Sequence, residues 1–331
     1  MLTAAIRDLH QTHPGQFITD VRTQHPALWE NNPYILPIKD EAKGVKRIRV
    51  DNKLINQSDH NSFHFLHDYT RVVEDALRIN IRPFLDRPDD NTAFYQCGEI
   101  YISDKEKSWY SQIHTELGKD VPYWIINAGC KDDYTCKMWE HAKYQGVVDA
   151  LPEITFVQIG QEKDFHEDLV GDNVINLVGK TEMRQFIRLV YHAAGVITPV
   201  SFPMHLAAAL ESKWCYDRAS KPCIVIAGSR EPSVWEAYTH HQFLHNCGML
   251  KCSGVGGCWK SRVEALDDDP EDEKNKSLCE RPTKTKSGQV IPKCMDMISV
   301  DMVVDRVHMY LEDYNYYRDW ILDTDGVVVE C

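Results

Sequence analysis

Residues 195–210, Gly-Val-Ile-Thr-Pro-Val-Ser-Phe-Pro-Met-His-Leu-Ala-Ala-Ala-Leu, set the reading of the whole chain. A short apolar strand ends in a Ser/Pro turn, and an Ala-rich helix begins directly behind it. Strand, tight turn and helix N-terminus in that order aim unpaired backbone N–H groups and the positive end of the helix dipole at one point, which suits a phosphate. His205, in the first helical turn, can add a ring N–H or a positive charge. Upstream, Val121–Gly129 is an apolar strand running into a small-residue loop. After it the pattern predicts a helix over 139–150, strands over 154–159 and 174–177, and a helix over 182–194. The strand over 195–198, a helix over 203–211, a strand over 223–227 and the loop Gly228–Pro232 complete the series. This alternation predicts a parallel sheet in an α/β domain that begins near residue 120.

The first 120 residues read as a smaller α/β domain. A helix is expected over Leu2–His10, a strand over Phe17–Val21, a helix over Asn61–Leu77 and a strand over Glu99–Ile102. Ser103 is placed to cap a helix carrying Trp109, with Asp104 and Glu106 in its first turn. The chain opens within a helix, so this domain is expected to lack its first strand. Residues 264–293 change character. Asp267–Glu273 is a charge run and Thr283–Gln289 a polar stretch, and both read as solvated loop. A helix over Val300–Tyr310, extending towards Trp320 with Tyr310, Tyr314, Tyr316 and Tyr317 on it, is expected to pack back on the first domain. The expected units are therefore 1–120, 121–298 with a Cys-rich insertion over 247–294, and a C-terminal helix within 299–331.

The chain has 331 residues, enough for two domains, and its 43% hydrophobic and 26% charged content is that of a globular protein. Fifty acidic against 37 basic residues give a formal charge of −13, which argues against a nucleic-acid partner. No apolar run approaches the roughly 18 residues of a membrane span and no signal peptide is visible, so a cytoplasmic location is expected. Eleven cysteines in such a setting point to reduced thiols or a metal site.

Ligands of open α/β sheets bind beyond the carboxyl ends of the strands. Three loops lie there: Asn127-Ala128-Gly129 leading to Lys137, Gln158–Glu162, and Thr198–His205. A lysine, a glutamate and a helix N-terminus on one rim make a nucleotide pocket, with Lys137 and His205 neutralising phosphate oxygens and Glu162 accepting from ribose hydroxyls.

These residues carry a resemblance to glycosyltransferase family 9, the ADP-heptose heptosyltransferases of the GT-B fold. The matching pieces are Trp124–Gly129 with Lys137-Met138-Trp139, Ile159–Glu162, Asn176–Thr181, Pro203–Leu210, Gly228–Pro232 and Cys294–Ser299, with Leu2–Arg7 and Trp29–Tyr34 in the first half. The resemblance implies two Rossmann-like domains facing a cleft, an ADP-sugar donor and a saccharide acceptor of the lipopolysaccharide type. It also implies a cytoplasmic enzyme peripheral to the inner membrane. Lys137 would contact the donor diphosphate, Glu162 the ribose, Gly179, Lys180 and Thr181 the adenine side, and Ser201 with His205 the phosphates. Gly129 and Met204, within the matched pieces, would belong to the same donor site. Lys137 and His205 would be catalytic by stabilising the departing diphosphate.

The chain departs from the family pattern in two places. Val200-Ser201-Phe202 stands where the family has Asp-Thr/Ser-Gly, and the family's base, an Asp in a loop before the first helix, has no counterpart after Met1. A nucleotide- or sugar-binding protein without turnover is the alternative from another class. A protein O-heptosyltransferase that assembles into oligomers is a further one.

Cys247, Cys252, Cys258, Cys279 and Cys294 flank the charged loop. Four thiolates around an irregular loop are what a structural Zn or Fe ion requires, and Cys252, Cys258, Cys279 and Cys294 are the expected ligands. The arrangement resembles the iron finger of autotransporter heptosyltransferases. The other cysteines, Cys136 among them, read as packing residues. His240, His241 and His245 read as solvent-facing loop histidines.

Overall fold

The structure, a computed structural model, describes residues 1–51, 57–58, 63–82, 97–214, 221–265 and 277–313. Six strands form one parallel sheet: β1 (Tyr123–Ile126), β2 (Thr155–Gln158), β3 (Val174–Asn176), β4 (Gly195–Pro199), β5 (Cys223–Gly228) and β6 (His241–His245), in the order β3-β2-β1-β4-β5-β6. Strands β1, β4 and β5 are buried throughout, as continuous apolar runs in a two-sided parallel sheet should be.

The order reverses between β1 and β4. That is the switch point, where the two flanking crossovers leave in opposite directions and open a crevice beyond the strand ends.

Each face carries its own apolar layer. On one, Ile125, Val196, Val225 and Val157 meet Ile187, Leu189, Val190 and Leu206 from α6 (Met183–His192) and α7 (Phe202–Ala209). On the other, Trp124, Ile126, Ile197 and Ile224 meet Tyr144, Val147 and Val148 of α5 (His141–Ala150). That second layer also holds Met295 and Ile298. Gly195 lies against Trp124, where a Cβ would stand 2.6 Å from the indole, so the strand needs a glycine there.

The first half is built from α1 (Leu2–Thr12), α2 (Leu66–Leu77), α3 (Asp104–Lys107) and α4 (Gln112–Leu117). Ser103 and Glu106 form the expected capping box, but α3 ends at Lys107 and Trp109 lies beyond it. The two expected strands do not form ladders among the described residues. Thr19 makes a single parallel bridge to Ile35, and Ile100 makes one to Leu210, just after α7. The reason is local: each segment finds one partner residue and then diverges.

Three other expectations change. His241 and His245 bound β6, not a loop; His241 is half-buried, while His240 and His245 are exposed as expected. Pro282–Lys284 (β7) and Val290–Pro292 (β8) pair antiparallel across the polar stretch, so 283–289 belongs to a hairpin, largely exposed as expected but not an unpaired loop. Helix α8 (Ser233–Glu236) and α9 (Lys293–Asp296) precede the last described helix, α10 (Val300–Asp313). Helix α10 packs through Val303, Val307 and Tyr310 on the Trp124 face of the parallel sheet, where sequence had placed it on the first half. Its extension towards Trp320, Tyr314, Tyr316 and Tyr317, and the charge run Asp267–Glu273, lie outside the described residues.

Candidate active site at the carboxyl edge of the sheet

The loops after β3, β2, β1, β4 and β5 follow one another along the sheet edge in strand order. Asn127, directly after β1, ties the switch point together. Its backbone N–H donates to Ile197 O (2.9 Å), and its side-chain amide donates to Thr198 Oγ1 (3.4 Å) and Ser201 Oγ (3.2 Å). Ser201 precedes α7 with extended backbone, and its hydroxyl is shared with Thr198 Oγ1 (2.8 Å); Met204 N–H donates to Ser201 O (3.1 Å) and Pro203 carries no N–H, so the first turn offers a ligand the N–H of Phe202.

Lys137 closes a 3-10 turn, Asp132–Lys137, and reaches across to the same loop, donating to Val200 O (3.1 Å). Its Nζ also lies 2.8 Å from Glu231 Oε1. Glu231, beyond β5, is buried and paired a second time with Arg230, whose Nε donates to Lys260 O (2.8 Å). Thus two cations and one carboxylate meet beside the α7 N-terminus. Nearby Glu236 is buried, and burial, reinforced by the negative charge of Glu231, pushes its carboxyl up to about 8. Among the described residues its Oε2 has no partner. Sequence reading gave no role to Arg230, Glu231 and Glu236; for the first two, their position after β5 in the quoted Gly228–Pro232 piece was the available signal, and Glu236, at the end of the helix Ser233–Glu236, carried none.

His205 faces the first half of the chain. Its Nδ1 lies 2.9 Å from Tyr238 OH, and Phe65 stacks near it with ring centres 5.3 Å apart. Burial, with Lys137 as one of the nearby cations, holds its pKa well below the ordinary value. This favours the neutral imidazole, a hydrogen-bonding group, over the charged form. Met204 is fully buried in the apolar layer under the turn and presents no side chain to the crevice.

Farther along the edge, Gly179 N–H donates to Gly160 O (2.9 Å) and Gly179 lies against Glu162, with a Cβ site 3.2 Å from Glu162 Cβ. Glu162 is exposed; Lys180, also exposed, donates to Asn176 O (2.8 Å), and Thr181 follows half-buried. His166 joins this end to the switch point. Its ring fills the space where side chains on Gly129 and Gly160 would be, at 2.0 and 2.1 Å from their Cβ positions. Neither ring nitrogen has a partner among the described residues. No periodicity or motif in the sequence singled it out.

The four cysteines expected to bind metal lie together, with one addition. Cys252, Cys258, Cys279 and Cys294 line a cavity of about 20 Å³, and Cys136, one residue before Lys137, lines it too. Among the described residues no three or more His, Cys, Asp or Glu side chains are arranged to hold a metal ion. The donor set is nevertheless all thiol, the chemistry that zinc and iron–thiolate sites use.

In a doubly wound α/β sheet the crevice at the switch point is where ligands bind. Residues 82–245 match the family model described as glycosyltransferase family 9 (heptosyltransferase). The fold is that of the structure of E. coli ADP-heptose LPS heptosyltransferase II, at 13% identity and TM-score 0.51 over 94% of each chain. The family match spans just under half of the chain, and the likeness to the solved structure is one of fold. A family 9 glycosyltransferase from Veillonella parvula is similar over 82% of this chain (14% identity, TM-score 0.47), which spans 64% of that protein. Iron-containing dodecameric heptosyltransferase TibC, solved with ADP-D-beta-D-heptose, is similar over 81% of this chain and 57% of its own (13% identity, TM-score 0.44). No curated protein matches the sequence. Among the described residues no helix is long and apolar enough to cross a membrane.

Proposed function

We propose that the protein transfers a heptose from an ADP-heptose donor to a hydroxyl of a saccharide acceptor of the lipopolysaccharide type. The observation that carries this reading is the convergence of Lys137, Val200 and the α7 N-terminus at the switch point. The acceptor oxygen attacks the anomeric carbon, the bond to the diphosphate breaks, and the acceptor proton passes to a base. Negative charge then gathers on the departing ADP. Lys137, Arg230 and the N–H of Phe202 stabilise it where it develops, which favours the transition state over the ground state. His205 contributes a neutral ring N–H. Glu162 and the Gly179–Thr181 turn, joined through Gly160, receive the nucleoside.

A structural Fe or Zn ion in the thiol-lined cavity belongs to the same reading, supported by the gathered soft donors. When bound it would cross-link the insertion. A cytoplasmic protein, peripheral to the inner membrane and able to oligomerise, completes it.

Calorimetry with ADP, UDP and GDP, followed by a transfer assay with ADP-heptose, tests the proposal. ADP is expected to bind at least about tenfold more tightly than the others. Equal or absent binding of all three overturns it, and selective binding without transfer assigns the chain as a binding protein.

A further inference from the structure

The donor reading puts the diphosphate at the switch point and the nucleoside at the Glu162 end of the sheet edge, and one side chain stands between them. His166 lies on the strap that follows β2, residues 161–169. Backbone pairs hold this strap against the β1 loop: Phe165 N–H donates to Cys130 O (2.9 Å), and Cys130 N–H donates to Phe165 O (3.3 Å). Farther on, the fully buried side chain of Gln158 donates to Glu167 O (2.8 Å) and accepts from Leu169 N–H (2.9 Å). Between these two fastenings the imidazole lies over Gly129 and Gly160, with Nδ1 2.6 and 3.2 Å from the positions a Cβ on each would take. Neither ring nitrogen is open to solvent, and neither has a partner among the described residues. Shape, not hydrogen bonding, therefore holds the ring.

From each glycine a line of contacts runs to one part of the donor site. Gly129 N–H donates to Asn127 Oδ1 (3.4 Å), and the Asn127 amide donates to Ser201 Oγ (3.2 Å) in front of α7. Gly160 O accepts from Gly179 N–H (2.9 Å), and Gly179 lies against Glu162. The imidazole joins the two lines.

We propose that His166 is a positioning residue for the donor: wedged between Gly129 and Gly160, it fixes the spacing of the diphosphate and nucleoside subsites so that a nucleoside diphosphate engages both at once. This rests on the donor-binding part of the reading above and adds a side chain that acts through the loops it separates. Two subsites reinforce each other on one ligand only while their spacing matches it, because the second contact is then made at high effective concentration. A looser spacing weakens the whole ligand and leaves each fragment as it was.

The test compares the full-length wild type with His166→Ala and His166→Phe, with folding checked by circular dichroism. Calorimetry measures ADP directly, and adenosine and inorganic pyrophosphate by competition with ADP. His166→Ala is expected to bind ADP about tenfold more weakly and both fragments within about twofold of the wild type. His166→Phe keeps a ring and discards the unpaired nitrogens, so it is expected to retain the affinity for ADP. An unchanged ADP affinity in His166→Ala, or fragments weakened as much as ADP, overturns the proposal. Loss of ADP binding in His166→Phe to the level of His166→Ala also overturns it, since the ring nitrogens would then be direct ligand contacts. Should His166→Ala not fold, His166→Phe decides alone, and it must keep the wild-type advantage of ADP over the two fragments. A wild type that binds no ADP removes the donor reading itself, and the positioning role with it.

Discussion

Lys137 Nζ lies 2.8 Å from Glu231 Oε1, so the cation that would meet the donor diphosphate is already held by a buried carboxylate. The pair keeps the lysine extended towards the α7 N-terminus when no anion is present. Replacing Lys137 by Met should weaken ADP binding by about 1.5–3 kcal/mol, the range for a charge-assisted hydrogen bond. Calorimetry measures this directly. An unchanged affinity would leave Lys137 with the structural task of neutralising Glu231, and then the variant would lose stability only.

Glu236 makes the stability of the fold depend on pH in an unusual direction. Its folded pKa of about 8 lies above the ordinary 4.5, so between these values the folded chain binds a proton that the unfolded chain does not. This contribution to stability is full below about pH 4.5 and is lost as pH rises through 8. Glu236→Gln should flatten the loss above neutrality, seen as a smaller drop in thermal midpoint from pH 6.5 to 8.5. His64 and His192, held at about 4 by burial, and His241, at about 3, act oppositely. Their folded pKa values lie below 6.5, so stability falls as pH drops from 6.5 towards 4. Acid sensitivity in that window should persist in Glu236→Gln.

The two halves of the chain are joined by a forked ion pair. Arg184 on α6 meets both Glu106 oxygens, at 2.5 and 2.7 Å, and donates to Tyr101 O (2.8 Å). Hydrogen bonds from Arg184, together with those of Ser103, hold the Glu106 carboxyl down at about 2. Arg184→Met should cost about 3 kcal/mol or more, because it strands a largely buried carboxylate. Denaturant unfolding gives the number, and a cost under about 1 kcal/mol, typical of an exposed pair, would contradict the burial assigned to it.

Most of the sheet could be read in the sequence because its strands are buried on both faces. Trp124–Ile126, Phe156–Val157 and Cys223–Ile226 are unbroken apolar runs, and each is followed by small or polar turn residues. Strand β6 escaped detection since it lies at the sheet edge and is bounded by His241 and His245, polar residues that read as loop. The position of Ser201 at the crevice was legible because it follows β4 closely, whereas Lys137, at the end of the turn Asp132–Lys137, reaches the same loop only through its side chain. Glu231 and Glu236 were not legible, because a buried carboxylate looks in sequence like a solvated one until its partners are known. Cys136 could not be grouped with Cys279 by spacing, as 143 positions separate them and only the fold brings them to one cavity.

His166 supplies the last prediction. Its ring occupies the space over Gly129 and Gly160, linking the loops after β1 and β2. A Cβ on Gly129 would stand 2.0 Å from the ring, so Gly129→Ala must expel the imidazole, at a cost of about 1–3 kcal/mol from overpacking. Removing the ring should remove the conflict. In a double-mutant cycle, Gly129→Ala combined with His166→Ala should be less destabilised than the sum of the two changes by at least about 1 kcal/mol. Gly160 provides the contrast. Its φ of 155° disfavours an L side chain whatever the space, so His166→Ala should rescue Gly160→Ala only in part. Urea unfolding of the wild type and the five variants measures both cycles, and additive costs at Gly129 would mean that the ring does not occupy that space in solution.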